Sequence, residues 1–481
     1  MRIYLLNAPF KTNFVRCGRW QGVAARGGTL YYPIWLSYAT GLLEKEGHIV
    51  RLVDAIAWKW SEEQVSEDAC TFKPDLIVVD TNFSSVKHDV RIANHLKSVT
   101  SATTVIVGPP ASQFTEDILK MGADIVALYE YDLTLRELTS KEITKTNLES
   151  VKGISYIFNG EIFHNPAREF STQADLDEMP FVTEVYKKHL NVKDYFLNHA
   201  FHPMVQIITS RGCPNQCTFC SWPETLTGRK YRMRSVDNIV AEFEYIAKEL
   251  PEVQEIFIED DCFTINKPHV IEFCKKIQEK GIRANWGCQA RATLDYETMV
   301  AMKDAGCRML DVGYESGSET ILKNIKKGVT VDQLREFTKN AKKAKLKILA
   351  DFVIGFPEEN KDTINETIQL IQEVRPDILQ VAMATPMPGT DFYNYVRTNN
   401  YIQIDDLSKS LDKQGIQKCI VSYPELTTQE VESTVNKIIK DYYLNIRYVP
   451  VALKGIFSRH AINELKCLAR STNNFLGVLR K

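Results

Sequence analysis

Short apolar runs alternate with segments of helical period through about the first 140 residues of the chain. Residues 3–6, 49–53, 75–79, 104–107 and 124–128 are rich in Ile, Leu and Val, and such near-continuous runs predict strands covered on both faces of a parallel sheet. The segments between them suit crossover helices in length; residues 86–96, for example, place apolar side chains at Val86, Val90, Ile92, Ala93 and Leu96. Strand and helix in alternation predict a doubly wound α/β domain over residues 1–147.

Over residues 148–203 this periodicity gives way to turn residues, among them Phe158-Asn-Gly160, Asn165-Pro166 and Met179-Pro180, which predicts a linker with room for a small hairpin. The alternation resumes at 205–208, 255–258, 284–286, 309–312, 348–354 and 378–381. Strands separated by helices in this way predict a partial (β/α)6 barrel over residues 204–400, two units short of the common eight. Residues 401–481 read as a C-terminal helical region, with Val431, Val435, Ile438, Ile439, Tyr442 and Ile446 on one helix face. The fold class is α/β: a Rossmann-like domain, then a partial barrel, then a helical tail.

Composition narrows the function classes. Of the 481 residues 44% are hydrophobic and 25% charged, ordinary globular values, and a net charge of -2 supplies no global attraction to nucleic acid. No nucleic-acid partner is expected. The apolar stretch at 34–43 falls well short of the ~20 residues of a membrane-spanning helix. Residues 1–9 lack the long apolar region and cleavage site of a secretory signal, so a cytoplasmic location is expected. In that compartment the 11 cysteines point to metal or redox use rather than to a disulfide scaffold.

Three of them stand together in Arg211-Gly-Cys213-Pro-Asn-Gln-Cys217-Thr-Phe-Cys220, directly after the first strand of the second half, where barrel active sites gather. Three closely spaced thiolates can hold three irons of a cubane cluster and leave the fourth open to a ligand, whereas an electron-transfer cluster normally takes four Cys ligands. A Cys3His zinc site and plain buried thiols are the alternatives. The nearest downstream histidine is His269, and burial has no need of this spacing. The other eight cysteines, Cys262 and Cys288 included, form no second close cluster and read as buried thiols.

The Cys-x3-Cys-x2-Cys spacing, with Phe219 before its last member, resembles the signature of the radical SAM superfamily. The resemblance implies that Cys213, Cys217 and Cys220 bind a 4Fe-4S cluster whose open iron is chelated by S-adenosylmethionine (SAM). Reductive cleavage of SAM would then yield a 5′-deoxyadenosyl radical. Further segments resemble the family at successive strand ends, and the SAM contacts they imply are Phe219, Asp260, Arg291, Glu315, Ser316 and Gly355. For each the bland alternative is structural, because acidic pairs cap helices and Gly-Phe-Pro makes a turn.

A Rossmann-like domain ahead of such a barrel resembles the cobalamin-binding class of the superfamily, which implies a cobalamin cofactor at the carboxyl ends of the first sheet. The residues so implied are Pro9, Ser84, Gly108, Pro109, Tyr129 and Glu130. The chain departs from that class where a Gly-Glu-Gly-Glu loop is usual and Leu128-Tyr-Glu-Tyr-Asp132 stands instead, and His88 lies outside any Asp-x-His-x-x-Gly motif. Cys217-Thr-Phe-Cys-Ser-Trp-Pro-Glu-Thr-Leu-Thr-Gly228 and Leu322-Lys-Asn-Ile-Lys-Lys-Gly328 are similar to hopanoid-biosynthesis-associated radical SAM proteins and imply a lipid- or sugar-like small-molecule substrate. The reaction would be methyl transfer or C–C rearrangement, with an electron donor such as flavodoxin or ferredoxin. The tail beyond Asp441 carries Arg447, Lys454, Arg459, Lys466, Arg470, Arg480 and Lys481 against Glu464, which suits either a lipid headgroup surface or a helix packed on the barrel with its charges in water. The competing functions are a cobalamin-free radical SAM enzyme with a non-catalytic Rossmann domain, an RNA-modifying radical SAM enzyme, and a zinc-stabilised binding protein.

Overall fold

The structure, a computed structural model, describes residues 1–18, 22–24, 27–445 and, near the end of the chain, 462, 463 and 465. The first apolar runs form five parallel strands, β1 (Arg2–Asn7), β2 (Ile49–Asp54), β3 (Leu76–Asp80), β4 (Thr103–Val107) and β5 (Ile125–Ala127). The chain then adds β6 (Ile154–Phe158) and β7 (Glu161–His164), giving the order β2-β1-β3-β4-β5-β6-β7. The last two strands run antiparallel, β6 on β5 and β7 on β6. The first sheet therefore continues past residue 147, through a hairpin whose Asn159 and Gly160 both have positive φ, the backbone of a tight two-residue turn.

The second half is a six-stranded parallel sheet in sequential order: β8 (Met204–Ile207), β9 (Glu255–Ile258), β10 (Trp286–Ala290), β11 (Cys307–Glu315), β12 (Lys347–Ile354) and β13 (Ile378–Met383). Helices follow the strands, for example Val236–Glu249, Lys267–Glu279 and Lys361–Val374, each started by a Ser or Asn side chain that accepts a backbone N–H of the first turn.

Side chains on one face of the first sheet, such as Tyr4, Leu6, Ile77 and Val79, pack under its own helices. The alternate residues Ile3, Leu5, Leu76 and Val78 belong to a core continuous with that of the barrel. The helix Ile34–Lys45 is buried along residues 34–43 and joins the halves. Its Tyr38 hydroxyl donates to the Ile208 carbonyl, and Tyr32 just ahead of it stacks between Tyr186 and Tyr195 at 4.0 and 3.9 Å. A shared apolar core of this kind fixes the orientation of the two sheets far more firmly than a linker would.

The C-terminal helix Thr428–Tyr443 buries Val431, Val435 and Ile438 against the barrel, and the Tyr443 hydroxyl donates to the Leu379 carbonyl on β13. This part of the tail is a packed helix. Ile446 and the basic residues from Arg447 to Lys481 lie outside the described residues. No helix among the described residues is long and apolar enough to cross a membrane.

Candidate active site at two facing strand edges

The cysteine loop leaves β8 through a two-residue antiparallel bridge, Ser210–Arg211 with Arg232–Met233. Gly212 turns there with φ +84, and a Cβ at that position would lie 2.2 Å from the Lys230 carbonyl, so the turn requires glycine. Backbone bonds hold the loop open as an arc: Cys213 N donates to Gly228 O at 3.2 Å, Thr218 N to Ile325 O at 3.0 Å, and Phe392 N to Thr218 O at 2.9 Å. Cys217 is buried, whereas Cys213 and Cys220 are half-buried. Burial raises the Cys213 thiol, and the Asn215 amide, 3.2 Å from its Sγ, works the other way.

Among the described residues no three His, Cys, Asp or Glu side chains gather around one point as a single metal ion would require. A cubane cluster makes a different demand, because each of three irons takes its own thiolate and the sulfurs stand further apart than around zinc. Three thiols on one arc, two of them reaching the surface of the site, fit that donor set.

The acidic segment after β9 supports this loop from below. Both Asp260 oxygens are taken by Thr209 N, Thr209 Oγ1 and Ser210 Oγ, each at 2.6 Å, and Gly212 N donates to Asp261 Oδ2 at 2.7 Å. This corrects the expectation that Asp260 faces a ligand: it is fully buried and braces the turn into the cysteines. Ser316 and Gly355 are likewise committed to protein. Ser316 Oγ lies 3.1 Å from Thr367 Oγ1, and Gly355 donates to Glu359 and accepts from the Tyr423 hydroxyl at 3.0 Å. Burial pushes Glu359 up to about 7, against the pull of the Gly355 and Phe356 N–H groups.

Phe219, Arg291 and Glu315 are differently placed. Phe219 meets Phe356 at 5.0 Å, which leaves an aromatic wall beside the cysteines. Glu315 sits at a β-bulge with φ +62, and its Oε1 accepts from Lys327 Nζ at 2.6 Å. Its other oxygen, Oε2, is buried and has no hydrogen-bond partner. Burial works to lower Lys327, but the charges of Glu315 and Cys217 outweigh it and the ammonium is raised overall. Arg291 reaches the same corner, its Nη2 only 3.1 Å from where a side chain on Gly328 would begin. Within the Leu322–Gly328 segment nothing in the sequence sets Lys327 apart from the exposed Lys323 and Lys326; burial distinguishes it as a site residue. Of the remaining cysteines, Cys70 is exposed and Cys17 half-buried, which corrects the expectation of burial for those two, and Cys467 lies outside the described residues.

The carboxyl edge of the first sheet faces the same loop. Gly108, φ +103, approaches so closely that a Cβ would lie 2.4 Å from Thr81 O. It leads through Pro109 into a 3-10 turn whose Ser112 Oγ donates at 3.1 Å to Thr225 O, in the short helix that follows Cys220. Pro9 O takes the His88 ring nitrogen at 2.8 Å, and Ser84 Oγ donates to Gly22 O at 3.1 Å. Tyr129 has φ +54 and meets Phe170 edge-on at 5.8 Å. Glu130 ion-pairs with Arg232 through both oxygens at 2.8 Å, while Asp132 meets Arg211 Nη2 at 2.6 Å. The Tyr-Glu-Tyr-Asp loop thus supplies two buried ion pairs between the halves. A corrin at this edge would be held through the loops and their backbone, since the His88 ring nitrogen is taken by the Pro9 carbonyl and the ring lies tilted against Phe10 at 5.0 Å.

Comparison with known proteins agrees with this layout. Residues 207–371 match the family model of the Radical SAM superfamily, and residues 20–139 match that of the B12 binding domain. An uncharacterized methyltransferase of Pyrococcus horikoshii is 28% identical over 437 residues, 90% of this chain and 92% of that protein. The hopanoid C-3 methylase of Methylococcus capsulatus is 26% identical over 371 residues, 75% of this chain and 68% of that one. The radical SAM methyltransferase TsrM of Kitasatospora setae, solved with cobalamin and a [4Fe-4S] cluster, has the same fold, with TM-score 0.69 at 13% identity over 92% of this chain and 88% of that one.

The chain is a radical SAM enzyme. Within that superfamily it belongs to the class with an N-terminal B12-binding domain, and its cofactors are a 4Fe-4S cluster, SAM and cobalamin.

Proposed function

We propose that this enzyme is a cobalamin-dependent methyltransferase of a lipid- or sugar-like small molecule, with Cys213, Cys217 and Cys220 as cluster ligands and Phe219, Arg291 and Glu315 as the SAM contacts. When bound, the cluster and SAM supply one-electron chemistry at carbon and cobalamin carries the methyl group. The chain's own residues bind and orient. The Phe219–Phe356 wall gives the adenine a flat apolar face. The Arg291 guanidinium is a bidentate partner for the methionyl carboxylate. The free oxygen of Glu315 accepts from a hydroxyl or ammonium, and Lys327 balances its charge.

The observation that carries this reading is the solvent-shielded, unpartnered Glu315 Oε2 beside a loop of three thiols, because a buried acceptor left open in this way costs stability unless a ligand completes it. The remaining assignments are a B12-binding unit from residue 1 to the end of the first sheet, a cytoplasmic location, and a flavodoxin- or ferredoxin-type electron donor. Anaerobically reconstituted protein given SAM and a reductant is expected to form both 5′-deoxyadenosine and S-adenosylhomocysteine. Absence of both would reject the reading.

A further inference from the structure

Strand register places a row of polar side chains on the inner face of the barrel, deeper along the strands than the proposed SAM contacts. Gln289 on β10 stands opposite Asp311 on β11, and Asp351 on β12 stands opposite Gln380 on β13. Gly313, the neighbour of Asp351 in register, faces the same way: a side chain there would strike Glu315 Oε1 at 2.2 Å and Lys327 Nζ at 2.7 Å. Asp311 precedes Glu315 by four residues, roughly 13 Å along a strand. A substrate between the row and those contacts would therefore lie within reach of the site above.

The row is linked within itself and open at one side. Gln289 Nε2 donates to Asp311 Oδ2 at 3.0 Å, and the Asp351 carboxyl lies beside that of Asp311. Two carboxyls buried side by side keep a proton between them, because their like charges cannot both be sustained there, so the pair has both a donor and acceptors. Burial, with Asp311 and Glu315 adding to it, raises Asp351 well above the usual carboxylate range. Asp311 is 6% exposed, Gln289 and Asp351 are half-buried and Gln380 is exposed, so the row leads from the interior to solvent. Asp351 Oδ1, in the row, and Glu315 Oε2, outside it, are shielded and have no hydrogen-bond partner.

We infer that Gln289, Asp311, Asp351 and Gln380 form the substrate-recognition strip of the barrel, and that the part of the substrate seated on it is a group of neighbouring hydroxyls, as on a polyol or sugar. Amides and a proton-sharing carboxyl pair offer alternating donors and acceptors, which is what adjacent hydroxyls need. A carboxylate-rich substrate would meet Asp311, Asp351 and Glu315, with Lys327 already paired to Glu315, and a bare hydrocarbon would strand all four polar side chains. The inference rests on the proposed function for taking the barrel as the reaction chamber, but binding needs no reductant and is tested separately from SAM cleavage.

Saturation-transfer NMR on the anaerobically purified full chain with its cofactors would use ribitol and D-glucose as hydroxyl-bearing probes and glutarate as a dicarboxylate probe. Ribitol or D-glucose is expected to bind, with affinity about tenfold weaker in both Asp351→Asn and Gln380→Leu. Gln380 is exposed, so its variant decides the matter even where Asp351→Asn fails to fold. The inference is overturned by binding of neither polyol probe, by unchanged affinity in Gln380→Leu, or by tighter binding of glutarate. Failure to form 5′-deoxyadenosine alongside intact polyol binding would count against the proposed function and leave the strip standing.

Discussion

At the carboxyl edge of the first sheet most buried polar side chains answer one another, the Tyr131 hydroxyl excepted, whereas at the same edge of the second sheet several carboxylates are left open. In the first sheet, buried Arg16 is bound by Asp89 at 2.6 Å, by Asn7 and by the Ala8 carbonyl. Asp54 takes Asn7 at 2.8 Å and the Tyr195 hydroxyl at 3.0 Å, and Asn82 bonds Gly22 and the Arg16 carbonyl. In the second, Glu315, Asp351 and Glu359 each keep a buried oxygen without a hydrogen-bond partner, and two of the three loop thiols are half-exposed. The first edge is largely closed by its own bonds, which leaves shape and backbone as the means by which it would hold a ligand. The second is incomplete without one, and preorganised groups awaiting a ligand are the usual construction of a reactive site.

The largest effect expected is from Cys217→Ala, which removes the buried thiol of the loop. Iron content and 5′-deoxyadenosine formation should fall to background while limited proteolysis shows the first sheet still folded. Retained SAM cleavage would refute the ligand assignment.

Next comes the seam between the two edges. Arg211→Met would leave Asp132 and Glu130 buried with one cation fewer, a loss of about 3–5 kcal/mol in denaturant unfolding. A loss under about 1 kcal/mol would show that the halves do not depend on this clamp.

The comparison predicts opposite outcomes for two conservative changes. Glu315→Gln should weaken SAM binding about tenfold, measured by equilibrium dialysis, because it alters an open acceptor. Ser84→Ala should change cobalamin affinity less than about twofold, because its hydroxyl is already given to Gly22. Equal effects would erase the distinction between the edges.

Stability should also depend on pH. Burial raises Asp80 to about 7, opposed by Arg16. A folded-state value above the unfolded one means that the native protein binds more protons, so stability falls as pH rises from about 4 to about 7 and is level beyond. Asp80→Asn should remove that slope; a wild-type-minus-variant difference flat across this range would show that Asp80 is not shielded as described.

Much of this was legible in the chain. The runs at 3–6, 75–79 and 348–354 are strands because both their faces are covered, and the cysteine arc is local in sequence, so its spacing carried its meaning. What stayed hidden depends on partners far apart. Asp311 and Asp351 each stand between apolar neighbours in their strands, and only the register brings them together. Arg211 and Arg232 acquire their meaning from Glu130 and Asp132, some 80 to 100 residues earlier. Asp260 had the right position for a ligand contact, and only its three bonds to Thr209 and Ser210 show that it braces the loop instead.

The most direct test of the central claim is the iron and cobalt content per chain after strictly anaerobic purification with cobalamin supplied during expression. The two-edge account predicts about four iron and about one cobalt. Zinc in place of iron would contradict it at the cysteine loop, and iron without cobalt would contradict it at the first sheet.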